Sequence, residues 1–133
     1  MRKVLFITSS RADYGLLRDV ILETQKLNRE TYLLVTGSHL SEEFGNTIKE
    51  IKKDNINKII KRNILDKKFN DNKISNYISE SINITTEVIN KKKPDIIVIL
   101  GDRYELLGSA IAAMILRIPI THIHGGELTI GAY

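Results

Sequence analysis

Apolar positions along the chain fall into two patterns that take turns. Short apolar-rich runs occupy residues 4–7, 31–36, 56–64, 96–100 and 119–124. Between them lie segments whose apolar residues recur at helical spacing, at 16–27, at 74–92 (residues 74, 78, 82, 84, 88 and 89) and at 106–116. The run Ile96-Ile-Val-Ile-Leu100 sets the architecture. It follows Pro94-Asp95, stops at Gly101, and contains no polar residue. A strand wet on one face alternates apolar with polar positions, so an unbroken run implies that both faces are covered, as in a central parallel strand with helices on either side.

The flanking segments fit that reading. Residues 74–92 form an amphipathic helix whose end is marked by Lys91-Lys92-Lys93 and Pro94. Residues 106–116 carry Gly108, Ser109, Ala110, Ala112 and Ala113, small enough for close helix-to-sheet packing. Residues 41–53 read as a further helix interrupted at Gly45-Asn46, and 66–73 as a polar surface excursion. Strands and helices in alternation, joined by short loops, predict an α/β fold: a Rossmann-like doubly wound parallel sheet spanning 1–133 as one domain or part of one.

In such sheets ligands bind outside the carboxyl ends of the strands. The first strand leads into Thr8-Ser-Ser-Arg-Ala-Asp-Tyr-Gly15, read as a polar loop before a helix, a setting suited to an anion. It is no P-loop, and without G-x-G-x-x-G it gives little support to dinucleotide binding. Asp13 could cap the helix, whereas Arg11 has no capping duty. The central strand delivers Asp102 and Arg103, and the last delivers His122, His124 and Glu127 beside Gly125-Gly126. Two carboxylates, two arginines and histidines on one rim suit acid–base chemistry on a phosphorylated substrate.

Simpler duties compete for these residues. Asp102 with Glu105 fits the D-x-x-E capping box of the helix that follows. His39, at the end of the second strand, reads as structural or solvated. Metal ligation by His122 and His124 is disfavoured, because residues two apart point to opposite faces of a strand.

Composition narrows the classes. Of 133 residues, 42% are apolar and 27% charged, and there is no cysteine, which excludes disulfides and thiolate chemistry and fits a reducing cytoplasm. A first strand so near the N-terminus leaves no room for a signal peptide, and no stretch is apolar for long enough to span a membrane. The net charge of +4 comes largely from lysines and arginines at 49–73 and 91–93. Stacking aromatics are nearly absent there, so solvated helix faces fit better than a nucleic-acid footprint.

Taken in register, Arg11-Ala-Asp-Tyr14, Gly37-Ser-His-Leu40, Gly45-Asn-Thr47, Lys93-Pro-Asp-Ile96, Gly101-Asp-Arg103 and His122-Ile-His-Gly-Gly-Glu127 resemble the hydrolysing UDP-N-acetylglucosamine 2-epimerases of sialic and legionaminic acid pathways. The resemblance implies the N-terminal half of a glycosyltransferase-B-type two-domain fold, with the C-terminal nucleotide-binding domain absent and the fragment inactive alone. It implies elimination of UDP from UDP-N-acetylglucosamine to a 2-acetamidoglucal, then addition of water to give N-acetylmannosamine. Asp102 and Glu127 match acidic residues assigned to that chemistry, either one as the base at C2. Arg11, Ala12, Arg103 and His124 match substrate-contacting positions. No metal or cofactor is implied, and the partners are the nucleotide sugar, the missing domain and further copies in a homo-oligomer. UDP- or GDP-linked N,N′-diacetylbacillosamine is the alternative substrate, and a non-catalytic α/β binding domain the alternative function.

Overall fold

A computed structural model of the chain describes residues 2–27, 29–40, 47–64 and 73–126. Its elements run β1 (Lys3–Thr8), α1 (Arg11–Lys26), β2 (Glu30–Val35), a 3-10 turn (Gly37–Leu40), α2 (Ile48–Lys53), β3 (Ile59–Lys61), α3 (Lys73–Lys92), β4 (Ile96–Leu100), α4 (Tyr104–Ile115) and β5 (Ile120–Ile123). The strands form one sheet in the order β3-β2-β1-β4-β5, and every neighbouring pair is parallel. The doubly wound sheet expected from the sequence is therefore present.

Strand pleating explains the two covered faces. In β1, Leu5 and Ile7 point to one side, where Leu34, Ile97 and Ile99 join Ile84, Val88 and Ile89 of α3 and Leu106, Ala112 and Ala113 of α4. Phe6 points to the other side, with Leu33, Val35, Val98 and Leu100, against Tyr14, Leu17 and Ile21 of α1 and Ile48 and Ile51 of α2. Leu5, Leu33, Leu34 and Ile97 are completely inaccessible, which is why β1, β2 and β4 tolerate no polar residue in mid-strand. β3 and β5 are the edges. The run at 56–64 yields only a three-residue strand, and β5 has three of its four residues exposed.

Two local differences bear on the site. The polar stretch after β1 is not a loop up to Gly15, because α1 begins at Arg11 and only Ser9 and Ser10 separate strand from helix. The start of the second helix, at 41–46, lies outside the described residues, as do the excursion at 66–72 and Glu127. Among the described residues no helix is long and apolar enough to cross a membrane.

Candidate functional site

The strand order reverses direction between β1 and β4, and in open parallel sheets that switch point leaves a crevice at the carboxyl ends. On its β1 side, Ser10 is the N-cap of α1 and its hydroxyl accepts the Asp13 N–H at 3.3 Å. The Ser9 hydroxyl donates to the Asp13 carboxylate at 3.1 Å, so Asp13 is buried and occupied. Capping thus falls to Ser10 rather than Asp13. Arg11 and Ala12 occupy the exposed first turn. Arg11 Nε lies 3.2 Å from Glu50 Oε2 with 73% of its side chain accessible, an ion pair that solvent screens and a ligand can displace.

On the β4 side, Gly101 turns the chain at a φ of 84°, in the left-handed region that favours glycine. Asp102 follows, exposed, with no hydrogen bond to another described residue. The expected capping box is not formed. The N-cap of α4 is Arg103, in extended conformation and without a side-chain cap; the Leu106 N–H donates to the Arg103 carbonyl at 2.9 Å, and the Tyr104 and Glu105 N–H groups before it have no cap among the described residues. Glu105, which the capping box would have turned back on the helix end, instead binds Arg103: Nη2 donates to Oε1 at 2.9 Å. The carboxylate raises the guanidinium pKa above its ordinary value, chiefly through that hydrogen bond. Asp13, on the far side of the crevice, adds to the effect.

β5 holds the β4 turn in place. The Gly101 N–H donates to the Ile123 carbonyl at 2.9 Å, and His122 Nε2–H donates to the Gly101 carbonyl at 2.6 Å. A Cβ on Gly125 would fall 2.2 Å from His122 Nδ1, so that position must be glycine for the imidazole to lie there. His124 follows in left-handed conformation with φ 53°. Among the described residues no group of three or more His, Cys, Asp or Glu side chains could hold a metal ion.

Of the two roles expected for His39, structural or solvated, the structure shows the structural one. His39 is completely inaccessible; its Nε2 meets Thr8 Oγ1 at 2.9 Å and its Nδ1 meets Thr47 Oγ1 at 2.6 Å. The imidazole therefore joins the end of β1 to the residue before α2. Burial pushes its pKa down to about 4, with Asp13 partly opposing and Arg103 reinforcing, so it is neutral at pH 7. Gly37 makes the approach possible: its φ is 61°, and a Cβ there would stand 2.7 Å from the Ser9 carbonyl oxygen.

The structure thus places Arg11, Ala12, Asp102, Arg103 and His124 at the carboxyl ends of β1, β4 and β5, which are consecutive in the sheet. Arg103 pairs with Glu105 of its own helix, and its charge helps to hold the His39 pKa down. Two arginines and two helix N-termini make the rim attractive to an anion, and Asp102 adds a carboxylate able to exchange a proton. Fold and site together define a Rossmann-type domain whose switch-point crevice suits an anionic ligand.

The family model described as "UDP-N-acetylglucosamine 2-epimerase" matches residues 22–133, and the chain belongs to that family. It is 42% identical over 134 residues to a GDP/UDP-N,N'-diacetylbacillosamine 2-epimerase (hydrolyzing) of Campylobacter jejuni, covering 98% of this chain and 34% of the relative. With a UDP-N,N'-diacetylbacillosamine 2-epimerase (hydrolyzing) of Legionella pneumophila it shares 39% over 130 residues, 96% of this chain and 34% of the relative. Among solved structures, UDP-GlcNAc 2-epimerase from Neisseria meningitidis bound to UDP-GlcNAc superposes with a TM-score of 0.79 at 26% identity, over 98% of this chain and 34% of that one. The chain spans about a third of the length of the relatives it matches.

Proposed function

We propose that residues 1–133 form the N-terminal Rossmann-like domain of a hydrolysing 2-epimerase that converts UDP-N-acetylglucosamine to N-acetylmannosamine and UDP. A C-terminal nucleotide-binding domain completes the cleft, which supports reading this part as inactive alone, and the whole enzyme works in the cytoplasm as a homo-oligomer. The observation that carries the reading is the end of β4. There an exposed, uncapping Asp102 stands beside Arg103 and the open N-terminus of α4, in a chain of this family.

The chemistry follows from those groups. The C2 proton of the sugar is weakly acidic, so its removal must be coupled to departure of a stabilised leaving group. Arg11 and Arg103, with the N–H groups of α4, bind the diphosphate and spread the charge that grows as the C1–O bond breaks. A carboxylate, Asp102 or Glu127, takes the proton from C2 while UDP leaves, giving the C1–C2 double bond. Water then adds its hydroxyl to C1, and a proton returns to C2 on the opposite face. Ala12 and His124 line the substrate, and none of these steps calls on a metal.

Run in D2O, the full-length enzyme is expected to release N-acetylmannosamine bearing deuterium at C2. Product with only protium at C2 contradicts the mechanism. A second substrate has a specific observation behind it: relatives named for diacetylbacillosamine share 39% and 42% identity, against 30% for one named UDP-N-acetylglucosamine 2-epimerase. Comparing kcat/KM on both nucleotide sugars separates the two.

A further inference from the structure

The ion pair at the start of α4 has a feature the elimination itself does not require. Glu105 is only 5% exposed, and burying a carboxylate is costly unless it is paired. Among the described residues its one ion-pair partner is Arg103, engaged through a single hydrogen bond from Nη2 to Oε1. Arg103 Nε and Glu105 Oε2 are both buried with no hydrogen-bond partner among the described residues. A contact whose purpose was stability would use the two-pronged fork that arginine and carboxylate form readily, and would leave neither atom unmet. This pair accepts that deficit, yet it keeps 39% of the arginine side chain accessible.

We propose that Glu105 is a positioning residue, which grips Nη2 of Arg103 so that the accessible part of the guanidinium is aimed into the β1–β4 crevice to take a phosphate of the nucleotide. The inference rests on the nucleotide-sugar reading above and extends it to a residue that touches no substrate.

Three observations support the aim. Arg103 sits at the helix N-cap in extended conformation, where a free arginine would sample many rotamers, and fixing one in advance lowers the side-chain entropy cost of binding. The arginine stands at the carboxyl end of β4, next to β1 in the sheet, so its accessible part lies at the rim the two strands share. Finally, the main chain of Glu105 is itself anchored: Ser81 of α3 donates its hydroxyl to the Glu105 carbonyl at 2.5 Å, and Ser81 also meets Ser109 at 3.2 Å. The carboxylate therefore grips from a fixed point rather than a fraying helix end.

UDP binding to the full-length protein, measured by calorimetry, tests this. Glu105→Leu is expected to weaken UDP about tenfold, or ~1.4 kcal/mol, while Glu105→Gln, which keeps an acceptor for Nη2, recovers part of the loss. Arg103→Ala is expected to weaken UDP at least as much as Glu105→Leu. The double variant should then be no weaker than Arg103→Ala, because Glu105 acts only through the arginine. In turnover the Glu105→Leu loss appears in kcat/KM, because the arginine serves both the bound diphosphate and the departing one, and Glu105→Gln recovers part of it. Unchanged UDP affinity in Glu105→Leu overturns the proposal, and so do losses that multiply in the double variant. If Glu105→Leu fails to fold, Arg103→Lys replaces it, since an ammonium can pair with Glu105 but cannot also reach the nucleotide. It is expected to lose the same tenfold, and wild-type affinity in it contradicts the proposal. A wild-type protein that binds UDP but releases none from a nucleotide sugar defeats the epimerase reading alone, whereas one that does not bind UDP defeats both.

Discussion

Gly108→Ala sets two effects of opposite sign against each other, and the structure decides which wins. Gly108 lies inside α4, where alanine is favoured over glycine by ~1 kcal/mol for helix formation. Against that, a Cβ at this position would stand 2.5 Å from the Ile78 carbonyl oxygen and 2.8 Å from Ser81 Cβ. One of those contacts is backbone and cannot rotate away, so α3 and α4 must separate by on the order of 1 Å to reach ordinary contact. Such overpacking costs about 1–3 kcal/mol. The same separation strains the hydroxyl chain between the helices, Ser81 to Glu105 carbonyl at 2.5 Å, Ser81 to Ser109 at 3.2 Å and Thr85 to Ser109 at 3.0 Å, whose loss adds about 1 kcal/mol per bond. With one of those bonds lost and the propensity gain subtracted, net destabilisation of about 2 kcal/mol is expected, a fall of about 1 M in the urea midpoint at unchanged slope. Gly15→Ala is the control: it lies in α1 with nothing within 4 Å of a Cβ, so the propensity term acts alone and stability is expected to rise by up to ~1 kcal/mol. A Gly108→Ala protein as stable as wild type refutes the packing argument, and a destabilised Gly15→Ala refutes the use of the control.

The remaining expectations concern the site. His39 has a folded-state pKa of about 4, below the value near 6.5 of an unfolded histidine. Its contribution is therefore complete above pH 6.5 and is lost at up to ~1.4 kcal/mol per pH unit as pH falls toward 4. Unfolding curves at pH 7 and pH 5 should show that loss in wild type and less of it in His39→Asn; equal losses contradict the buried neutral imidazole. Gly125→Ala should displace the His122 ring and free the Gly101 carbonyl, lowering turnover of the full-length enzyme several-fold with little change in melting temperature. Full activity in that variant shows that the β5 anchor is dispensable. Turnover should also persist after EDTA treatment, and activity lost to the chelator and restored by a divalent metal favours the metal ligation by His122 and His124 that their spacing speaks against.

Legibility followed the range of the interactions. The run from Ile96 to Leu100 announced its own burial on both faces, and β4 is the strand packed between two helical layers. The start of α1 was misplaced because Ser10, Arg11 and Asp13 look like loop residues. Ser10 is in fact the cap, Arg11 faces solvent, and Tyr14 and Leu17 supply the inward face. β3 is shorter than its apolar run because an edge strand pairs on one side only, here with Leu33, Leu34 and Val35. At the site, residue types and strand ends were readable, but partners were not. The D-x-x-E spacing offers Glu105 a capping role because spacing alone cannot tell a helix end from an arginine two residues away. His39 looked like a lone loop histidine because its partners, Thr8 and Thr47, lie 31 and 8 residues off and meet it only in the folded chain.

The central claim is that the carboxylate after β4 does acid–base work on a nucleotide sugar held by the neighbouring cations. Measuring UDP release from UDP-N-acetylglucosamine and from UDP-N,N'-diacetylbacillosamine by full-length Asp102→Asn tests it most directly. Because Asp102 is exposed and caps nothing, the variant should keep its fold and its affinity for UDP while UDP release falls by about 10²–10⁴-fold. Release at close to the wild-type rate would contradict the account.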